Sequence, residues 1–362
     1  MSNEFLLIAT WKPVNRNGGD RVTNRQYTRL TTKFKFTSQQ LKSGKNDLGA
    51  ISAICDRGMP GVYYLAAANM VYEWSPDNTF ANYSLPEGYT NNILGVYMYG
   101  DYLVLLMIAA PVVIMKNGIE CWRSRYTQNQ TFAIDWSWAN FSKNNQLVQG
   151  SLYMMNTGDH NLLKLDLARL TKALEVQSKI TEDMDFKVVL SFEILDFNVV
   201  IEKKSQIVYS GRHDGSIWRG KTKFGSVANS IDASKKWMHG ILALSKSIIV
   251  STFDKKISNI FLMNMLGKPI YCYELQESDI ETKSPRHLES VVLKGITLIV
   301  LSRFCKRIDI LAIFKNKLTL VYSNENVMDD RIYAVYLDKK LERILIAGEP
   351  FLTEISLAPL KL

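Results

Sequence analysis

Short apolar segments recur along this chain in groups of three or four, and each group spans roughly 40–50 residues. The clearest group contains the hairpin QIVYSGRHDGSIWRGKTK at 206–223, in which residues 207–209 and 216–218 are strand-like and Asp214 and Gly215 form the turn. Glycine reaches positive φ at no steric cost, so Asp-Gly between two strand-like runs is a strong hairpin signal. The recurrence predicts a chain built from hairpins.

Seven such groups can be followed between residues 50 and 357. Their segments are ISAIC, VYYLAAA and MVYEWSPD; ILGVYMY, YLVLLMI and VVIMKNG; FAIDWSW, SLYMMNT, NLLKLDL and ALEVQSKI; VVLSFEILDF with the hairpin above; GILALS, SIIVSTFD, NIFLMNM and IYCYEL; SVVLKG, LIVLSRF, IDILAIF and LTLVYS; and RIYAVYLD, RILIAGE and FLTEISL. Most strands are apolar along nearly their whole length, as expected of sheets buried on both faces. Sheets stacked face to face around an axis meet this requirement. We therefore predict an all-β fold, a β-propeller, as a single domain over residues 1–362.

The last group is one strand short. A strand from residues 5–11 or from residues 27–36 would complete it and close the ring, which removes the exposed edges. We predict seven blades, or eight if the N-terminal strands form a blade of their own. The best helix candidate is 163–176, containing LARLTKALEV, which alternatively fits two strands with a turn at Ala168 and Arg169.

The segment IVYSGRHDGSIWRGK has the order strand, Ser-Gly, Asp-Gly turn and strand, and here the chain resembles the WD40-repeat propeller family. Weaker matches are MMNTGDHNLLKLDL and IIVSTFDKKISNIFLM. No blade ends in Trp-Asp and none opens on Gly-His, so the family's buried Asp-His-Ser/Thr-Trp network is not carried over. The resemblance implies a divergent WD40-like β-propeller.

A more particular resemblance is to the diphthine methyl ester hydrolases of diphthamide biosynthesis, which are WD40 propellers. It rests on FLLIATW, FAIDWS, IVYSGRHDG, and IIVSTFD followed by NMLGKPI. It implies ester hydrolysis on elongation factor 2, with His213 and Asp214 as candidate catalytic residues. Two features depart from that family: the group around 97–116 looks additional, and Arg212-His213-Asp214 stands where the family has an acidic pair.

The formal net charge of +9 favours acidic partners, which are nucleic acid, anionic lipid or an acidic protein surface. The four cysteines form no CxxC pair, which argues against a structural zinc site and a disulfide framework and favours the cytosol or nucleus. The four histidines form no HExxH or close pair, so neither metal nor cofactor is predicted. Cys305 beside Lys306 and Arg307 is a candidate activated thiol, although a strand-end cysteine is the simpler interpretation.

Residues 215–222, GSIWRGKT, match the phosphate-loop pattern, but Ile217 and Trp218 are poor loop residues and a weak helix follows, so we predict a hairpin. The most apolar run, YLVLLMIAAPVVIM, is shorter than the ~20 residues needed to span a bilayer and contains Pro111. The N-terminus lacks the basic and apolar regions of a secretory signal. We therefore expect no membrane span.

Packed strands without a recognisable catalytic constellation favour a binding protein: an interaction scaffold or a subunit of a multiprotein complex, with nucleic-acid binding on a basic face as a further alternative. The candidate partner-binding residues are those of three predicted hairpin turns, namely Asp159, His160, Arg212, His213, Asp214, Lys255 and Lys256. If the hairpins run as assigned, these turns lie at corresponding ends of adjacent blades and share one face.

Overall fold

The computed structural model describes residues 31–35, 51–67, 69–76, 80–83, 92–108, 110–127, 146–156, 161–192, 198–212, 214–227, 237–253, 258–275, 285–303, 307–325, 327–328, 332–348, 351–358 and 360. These residues form seven four-stranded antiparallel sheets, which are the blades of a closed ring. The predicted all-β propeller with seven blades is therefore confirmed.

Within each blade the first strand lies at the centre of the ring and the fourth at its outer edge. The strands are β2 (Ile51–Asp56), β3 (Tyr63–Ala67), β4 (Met70–Trp74) and β5 (Phe80–Tyr83) in blade 1; β6 (Ile93–Tyr99), β7 (Tyr102–Met107), β8 (Pro111–Lys116) and β9 (Ile119–Thr127) in blade 2; β10 (Gln146–Val148), β11 (Ser151–Asn156), β12 (Asn161–Asp166) and β13 (Lys187–Ser191) in blade 3; β14 (Asn198–Ile201), β15 (Val208–Gly211), β16 (Ser216–Arg219) and β17 (Thr222–Ser226) in blade 4; β18 (Trp237–Ala243), β19 (Ser247–Phe253), β20 (Ser258–Asn264) and β21 (Pro269–Glu274) in blade 5; β22 (Pro285–Leu293), β23 (Ile296–Arg303), β24 (Ile308–Phe314) and β25 (Lys317–Asn324) in blade 6; and β26 (Ala334–Asp338), β27 (Arg343–Ala347), β28 (Phe351–Ser356) and the N-terminal β1 (Thr31–Lys35) in blade 7.

The ring is closed by the N-terminal strand. β1 pairs antiparallel with β28, with Thr31 opposite Ile355 and Lys35 opposite Phe351. This confirms the prediction that a strand within residues 27–36 completes the last blade; the other candidate, residues 5–11, lies outside the described residues. Closure leaves no blade short of its fourth strand, so the sheet edges that would invite pairing with another chain are limited to the outer strands.

Apolar side chains hold neighbouring blades together. The described residues form seven hydrophobic clusters, one at each junction between adjacent blades. Along β7, Leu103 and Leu105 face blade 1, whereas Val104 and Leu106 face blade 3. Because successive side chains of a strand point to opposite faces, a strand between two neighbours must be apolar throughout. This is why the strands read as continuous apolar runs.

A buried polar network also joins blade 7 to blade 1, and we call it the closure network. Arg343 donates from Nε to the Tyr63 hydroxyl at 2.8 Å and from Nη1 to Glu354 Oε2 at 2.7 Å. Tyr63 in turn donates to Asp338 Oδ2. Asp338 Oδ1 accepts from the backbone N–H of Leu341 at 2.9 Å. Every charge of this network therefore has a hydrogen-bond partner.

Blade 3 differs from the prediction. Helix α1 (Leu167–Glu175) follows β12, because the Asp166 carboxylate caps it by accepting from the Arg169 N–H at 2.9 Å and one face, including Leu167 and Leu170, is buried. The helix prediction is thus correct from Leu167 onward, and the two-strand alternative is wrong. The chain then returns as the outer strand β13. The segment VVLSFEILDF, predicted to open the fourth blade, therefore contributes this strand to blade 3, and blade 4 begins at Asn198.

The hairpin of blade 4 forms as predicted. The Arg212 N–H donates to the Ser216 carbonyl at 3.0 Å, and Gly215 closes the turn with a φ of +77°. A second turn at Gly220 leads into β17, a strand that begins at Thr222. A phosphate loop would open a helix here. The hairpin interpretation of GSIWRGKT is therefore the one that the fold supports.

Candidate functional site

The turns between the first and second strands of all blades lie at one end of the ring. We call this end the inner-turn face; its turns comprise residues 57–62, 100–101, 149–150, 202–207, 244–246, 294–295 and 339–342. Contacts between turns support the arrangement: Gln206 Nε2 donates to Gln149 Oε1 at 2.7 Å, joining blades 3 and 4, and Lys340 Nζ lies 3.3 Å from Asp56 Oδ2, joining blades 7 and 1.

Exposed lysines occupy the inner turns of four consecutive blades. They are Lys203 and Lys204 in blade 4, Lys246 in blade 5, Lys294 in blade 6, and Lys339 and Lys340 in blade 7. The corresponding turns of blades 2 and 3 contain Asp101 and Gln149 instead. Positive charge at this end of the ring is therefore concentrated on one side.

Two subsets of these lysines differ in position. Lys203, Lys204 and Lys339 line the central channel. Lys246, Lys294 and Lys340 lie outside it, and together with Lys204 at the channel's edge they form what we call the lysine rim. Exposed aliphatic side chains accompany the rim: Val292 is 67% exposed and Leu341 is 41% exposed. A basic rim with apolar side chains is a chemical profile that suits an acidic protein surface.

The central channel has a volume of about 630 Å³ and is lined by the first strands of all seven blades. Ionisable groups from blades 1, 2, 4, 6 and 7 interact electrostatically within it: Cys55, Tyr97, Lys203, Glu289, Tyr336 and Lys339. The cavity thus brings together side chains that are remote in sequence and carried by five of the seven blades.

Two charged members of this cluster, Glu289 and Lys339, have pKa values shifted by burial. Burial raises the pKa of Glu289, while Lys203 and Lys339 act in the opposite direction. Burial lowers the pKa of Lys339, the positive charge of Lys203 lowers it further, and Glu289 opposes both. Neither lysine makes an ion pair with a described carboxylate. Two ammonium groups therefore share one partly buried carboxyl group.

The neutral members of the cluster do not supply a nucleophile. Burial raises the pKa of the Cys55 thiol, and the nearby Asp56 carboxylate raises it further. Burial likewise raises the pKa of the Tyr97 and Tyr336 hydroxyls. Because the reactive form of cysteine is the thiolate, Cys55 is a packing residue of the junction between blades 1 and 2. The arrangement in the channel is suited to binding an anion.

The turn between β15 and β16 contains two of the predicted site residues and lies at the opposite end of the ring. The Ser216 N–H and hydroxyl both donate to Asp214 Oδ1, at 2.8 and 2.5 Å, and Trp218 Nε1 donates to the Ser216 hydroxyl at 3.0 Å. The Arg212 guanidinium carbon lies 3.9 Å from the centroid of the Trp218 ring. Burial tends to raise the pKa of Asp214, but the hydrogen bonds from Ser216 and the Lys223 and Arg212 charges lower it overall. Asp214 therefore acts as a charged turn residue.

The other predicted site residues cannot be placed beside them. Asp159, His160, His213, Lys255 and Lys256 lie outside the described residues, as does Cys305. Residues 157–160 stand between the second and third strands of blade 3, and residues 254–257 stand between the second and third strands of blade 5. Arg212 and Asp214 occupy the corresponding position of blade 4. The single shared face and the catalytic roles of His213 and Asp214 therefore stay predictions.

Within the described part of the chain, no group of three or more His, Cys, Asp or Glu side chains is arranged to hold a metal ion. No helix among the same residues has the length and apolar character to cross a bilayer.

Sequence reasoning missed the channel cluster and the grouping of the lysines. In the sequence, the pairs Lys203-Lys204 and Lys339-Lys340 have the form of ordinary basic dipeptides in turns. A signal was nevertheless present, since IEKK and LDKK each end the first strand of a unit, and VVLKG and ALSKS place a lysine at the corresponding position. Aligning the units on their first strands would have placed all six lysines in one set of turns.

Comparisons with known proteins identify the fold and nothing finer. No family model and no curated protein sequence matches the chain. Among solved structures, a chain of the Mitotic Checkpoint Complex is 11% identical with a TM-score of 0.60, covering 98% of this chain and 99% of that one. The WD40 β-propeller domain of Doa1 is 11% identical with a TM-score of 0.58, covering 86% and 94%. The computationally designed Ika8 protein is 11% identical with a TM-score of 0.50, covering 87% and 98%.

The chain is therefore a WD40-like seven-bladed β-propeller. At 11% identity these structures share its fold, and they do not assign it an activity. The particular resemblance to the diphthine methyl ester hydrolases is not supported by any of these matches and stays a prediction.

Proposed function

We propose that this protein is an interaction subunit of a multiprotein complex, located in the cytosol or nucleus, and that its lysine rim binds an acidic surface of a protein partner. The observation that carries the proposal is the placement of exposed lysines on the inner turns of four consecutive blades. Turns anchored on a closed ring hold their positions, so a partner meets a preformed patch and loses little entropy in ordering it.

The aliphatic side chains beside the rim favour a protein over nucleic acid. Val292 and Leu341 are exposed next to Lys294 and Lys340 and would be buried by a partner that offers both carboxylates and apolar side chains. Likeness in fold to a chain of the Mitotic Checkpoint Complex supports a role within an assembly, at the level of fold alone. Nucleic acid is the second candidate, because the same lysines would neutralise phosphates.

The test is affinity purification of the tagged full-length chain from its own cells after nuclease treatment, with partners identified by mass spectrometry. Lys246→Glu combined with Lys294→Glu reverses two rim charges. The matched control, Lys179→Glu with Lys187→Glu, makes the same charge change at exposed positions of blade 3. We expect a stoichiometric partner that the rim variant loses by at least about tenfold and the control retains.

Three results would count against the proposal. Equal recovery with both variants would remove the rim as the binding site. Absence of any stable protein partner of the unmodified chain would remove the proposed function. If partners are recovered without nuclease and are lost after nuclease treatment, the nucleic-acid alternative would be favoured.

A further inference from the structure

The central channel has the size of a small-molecule site. Its volume of about 630 Å³ falls inside the range of roughly 300–1,000 Å³ that is typical of ligand pockets. First strands from all seven blades form its wall, so its shape is fixed by the ring. The inner-turn lysines that line it are Lys203, Lys204 and Lys339, whereas Lys246, Lys294 and Lys340 lie outside it.

The positive charges that line this channel interact unfavourably. Lys203 and Lys339 belong to blades 4 and 7, which are not neighbours, yet the charge of Lys203 makes the protonated form of Lys339 less favourable. Two ammonium groups that line one cavity repel each other unless an anion lies between them. Glu289 is the carboxyl group that acts on both, and its own ionisation is disfavoured by burial. The two lysines are therefore undercompensated.

A ligand with several negative charges on a compact scaffold would resolve this imbalance. Low-dielectric walls strengthen the attraction between the lysines and an anion compared with the same pair in water. A single phosphate would fill a small part of the cavity. Several phosphates on one small ring or chain would contact Lys203 and Lys339 together, with Lys204 at the edge of the channel.

We propose that the central channel, at its inner-turn end, binds a free polyphosphorylated small molecule through Lys203 and Lys339. Glu289 faces these two lysines and Tyr97 across the channel, and it limits affinity when it is ionised because it competes with the ligand for both ammonium groups. This site shares only Lys204 with the lysine rim, because Lys203 and Lys339 are not part of the rim, and the inference does not depend on the proposed protein partner.

The experiment is isothermal titration of the purified full-length chain with inositol hexakisphosphate in 150 mM salt, with inorganic sulfate at equal ionic strength as the comparator. We expect one ligand per chain and at least about tenfold preference over sulfate. Lys203→Met with Lys339→Met should weaken binding by at least about thirtyfold, because two charge-assisted contacts are lost. Lys179→Met with Lys187→Met removes the same charge from the outside of blade 3 and should leave binding unchanged.

Glu289→Gln provides a variant whose expected effect is a gain. Removing the competing carboxylate should tighten binding by about threefold to tenfold, a change that a damaged fold would not produce. Thermal unfolding of each variant checks that the ring is intact.

The proposal fails if no binding heat is detected at millimolar ligand. It also fails if both lysine pairs weaken binding equally, since that would show attraction to net charge alone. Binding to phosphoinositide-containing vesicles without binding to the free polyphosphate would replace it with a membrane site. A negative titration leaves the partner proposal standing, because that proposal is judged by the pull-down.

Discussion

Two regions of the ring bring several ionisable side chains together, and they differ in how the charges are compensated. In the closure network, Arg343 donates to Tyr63 at 2.8 Å and to Glu354 at 2.7 Å, and Asp338 accepts from Tyr63. In the channel, Lys203 and Lys339 make no ion pair with a described carboxylate, and the charge of Lys203 adds to burial in lowering the pKa of Lys339. The first set of charges is satisfied within the fold, and the second is not.

The difference separates a structural role from a binding role. A buried charge whose hydrogen bonds are satisfied stabilises the arrangement that satisfies it, and removing its partner is costly. A charge that stays undercompensated costs stability, so a ligand that neutralises it gains binding energy. Substitutions should therefore damage the fold at the junction of blades 7 and 1 and spare it in the channel.

The largest effect is expected at the closure network. Arg343→Met leaves Asp338 and Glu354 without their cation and should lower the free energy of unfolding by about 3–5 kcal/mol. The measurement is chemical denaturation followed by tryptophan fluorescence.

Its matched control is Arg57→Met. Arg57 makes the same kinds of contact, to the Tyr64 hydroxyl at 3.1 Å and to Glu73 at 2.9 Å, but about a third of each side chain of the ion pair is exposed. A solvent-accessible pair contributes about 0–1 kcal/mol. Equal losses from the two substitutions would contradict the distinction drawn between satisfied buried charges and exposed ones.

A second buried ionic network, in blade 6, should behave like the first with a smaller loss. Asp309 is fully buried, and its Oδ1 accepts from Arg307 Nε at 2.8 Å and from the Ser323 hydroxyl at 2.7 Å. Asp309→Asn keeps the shape but removes the charge, and we expect a loss of about 1.5–3 kcal/mol in the free energy of unfolding.

Ser323→Ala is the graded companion to that substitution, since it deletes one of the two contacts. It should cost about 1 kcal/mol. If Asp309→Asn unfolds with the same free energy as the parent, the buried charge does not stabilise the fold. Asp309 would then resemble the channel lysines in this respect.

The sequence predicted the strands and the closure of the ring, and it predicted neither the closure network nor the channel cluster. Continuous apolar runs such as YLVLLM predicted strands between two blades, and the missing fourth strand of the last unit predicted closure by residues within 27–36. Local pattern is enough for such features because each depends on neighbouring residues or on the number of strands.

The channel depends on which turns converge in space, and that depends on the register of whole blades. Lys203 and Lys339 interact only because blades 4 and 7 face the same cavity, and no single segment of the sequence indicates that these two blades do so. The same reason explains the missed boundary at blade 4: α1 moves the outer strand of blade 3 to Lys187–Ser191. In both places the local sequence pattern was compatible with more than one structure, and the packing of whole blades determined which one forms.

In the channel, removal of a charge should leave the fold unharmed. Lys339→Met deletes a cation whose pKa burial and Lys203 both lower, so the free energy of unfolding should stay within about 1 kcal/mol of the parent or rise. Chemical denaturation under the conditions used for Arg343→Met gives the comparison directly. A loss as large as that of Arg343→Met would mean that Lys339 is satisfied by contacts of the fold, and the argument for an anion site would lose its basis.

The smallest effect is a pH dependence at Glu289. Burial raises the pKa of this carboxyl above the ordinary value of 4.5, so in the window above 4.5 the folded chain holds the proton that the unfolded chain has released. Stability therefore falls as pH rises through this window, and the deficit persists above the folded pKa. Gln cannot ionise, so Glu289→Gln should match the parent below pH 4.5 and become progressively more stable than the parent as pH rises towards neutrality.

Thermal unfolding between pH 4 and pH 8 measures this difference, with Glu175→Gln on the exposed side of α1 as the baseline for loss of one carboxylate. A difference that shrinks as pH rises would mean that Lys203 and Lys339 stabilise the Glu289 carboxylate more than burial penalises it. The channel charges would then form a satisfied set like the closure network, and the contrast between the two regions would disappear.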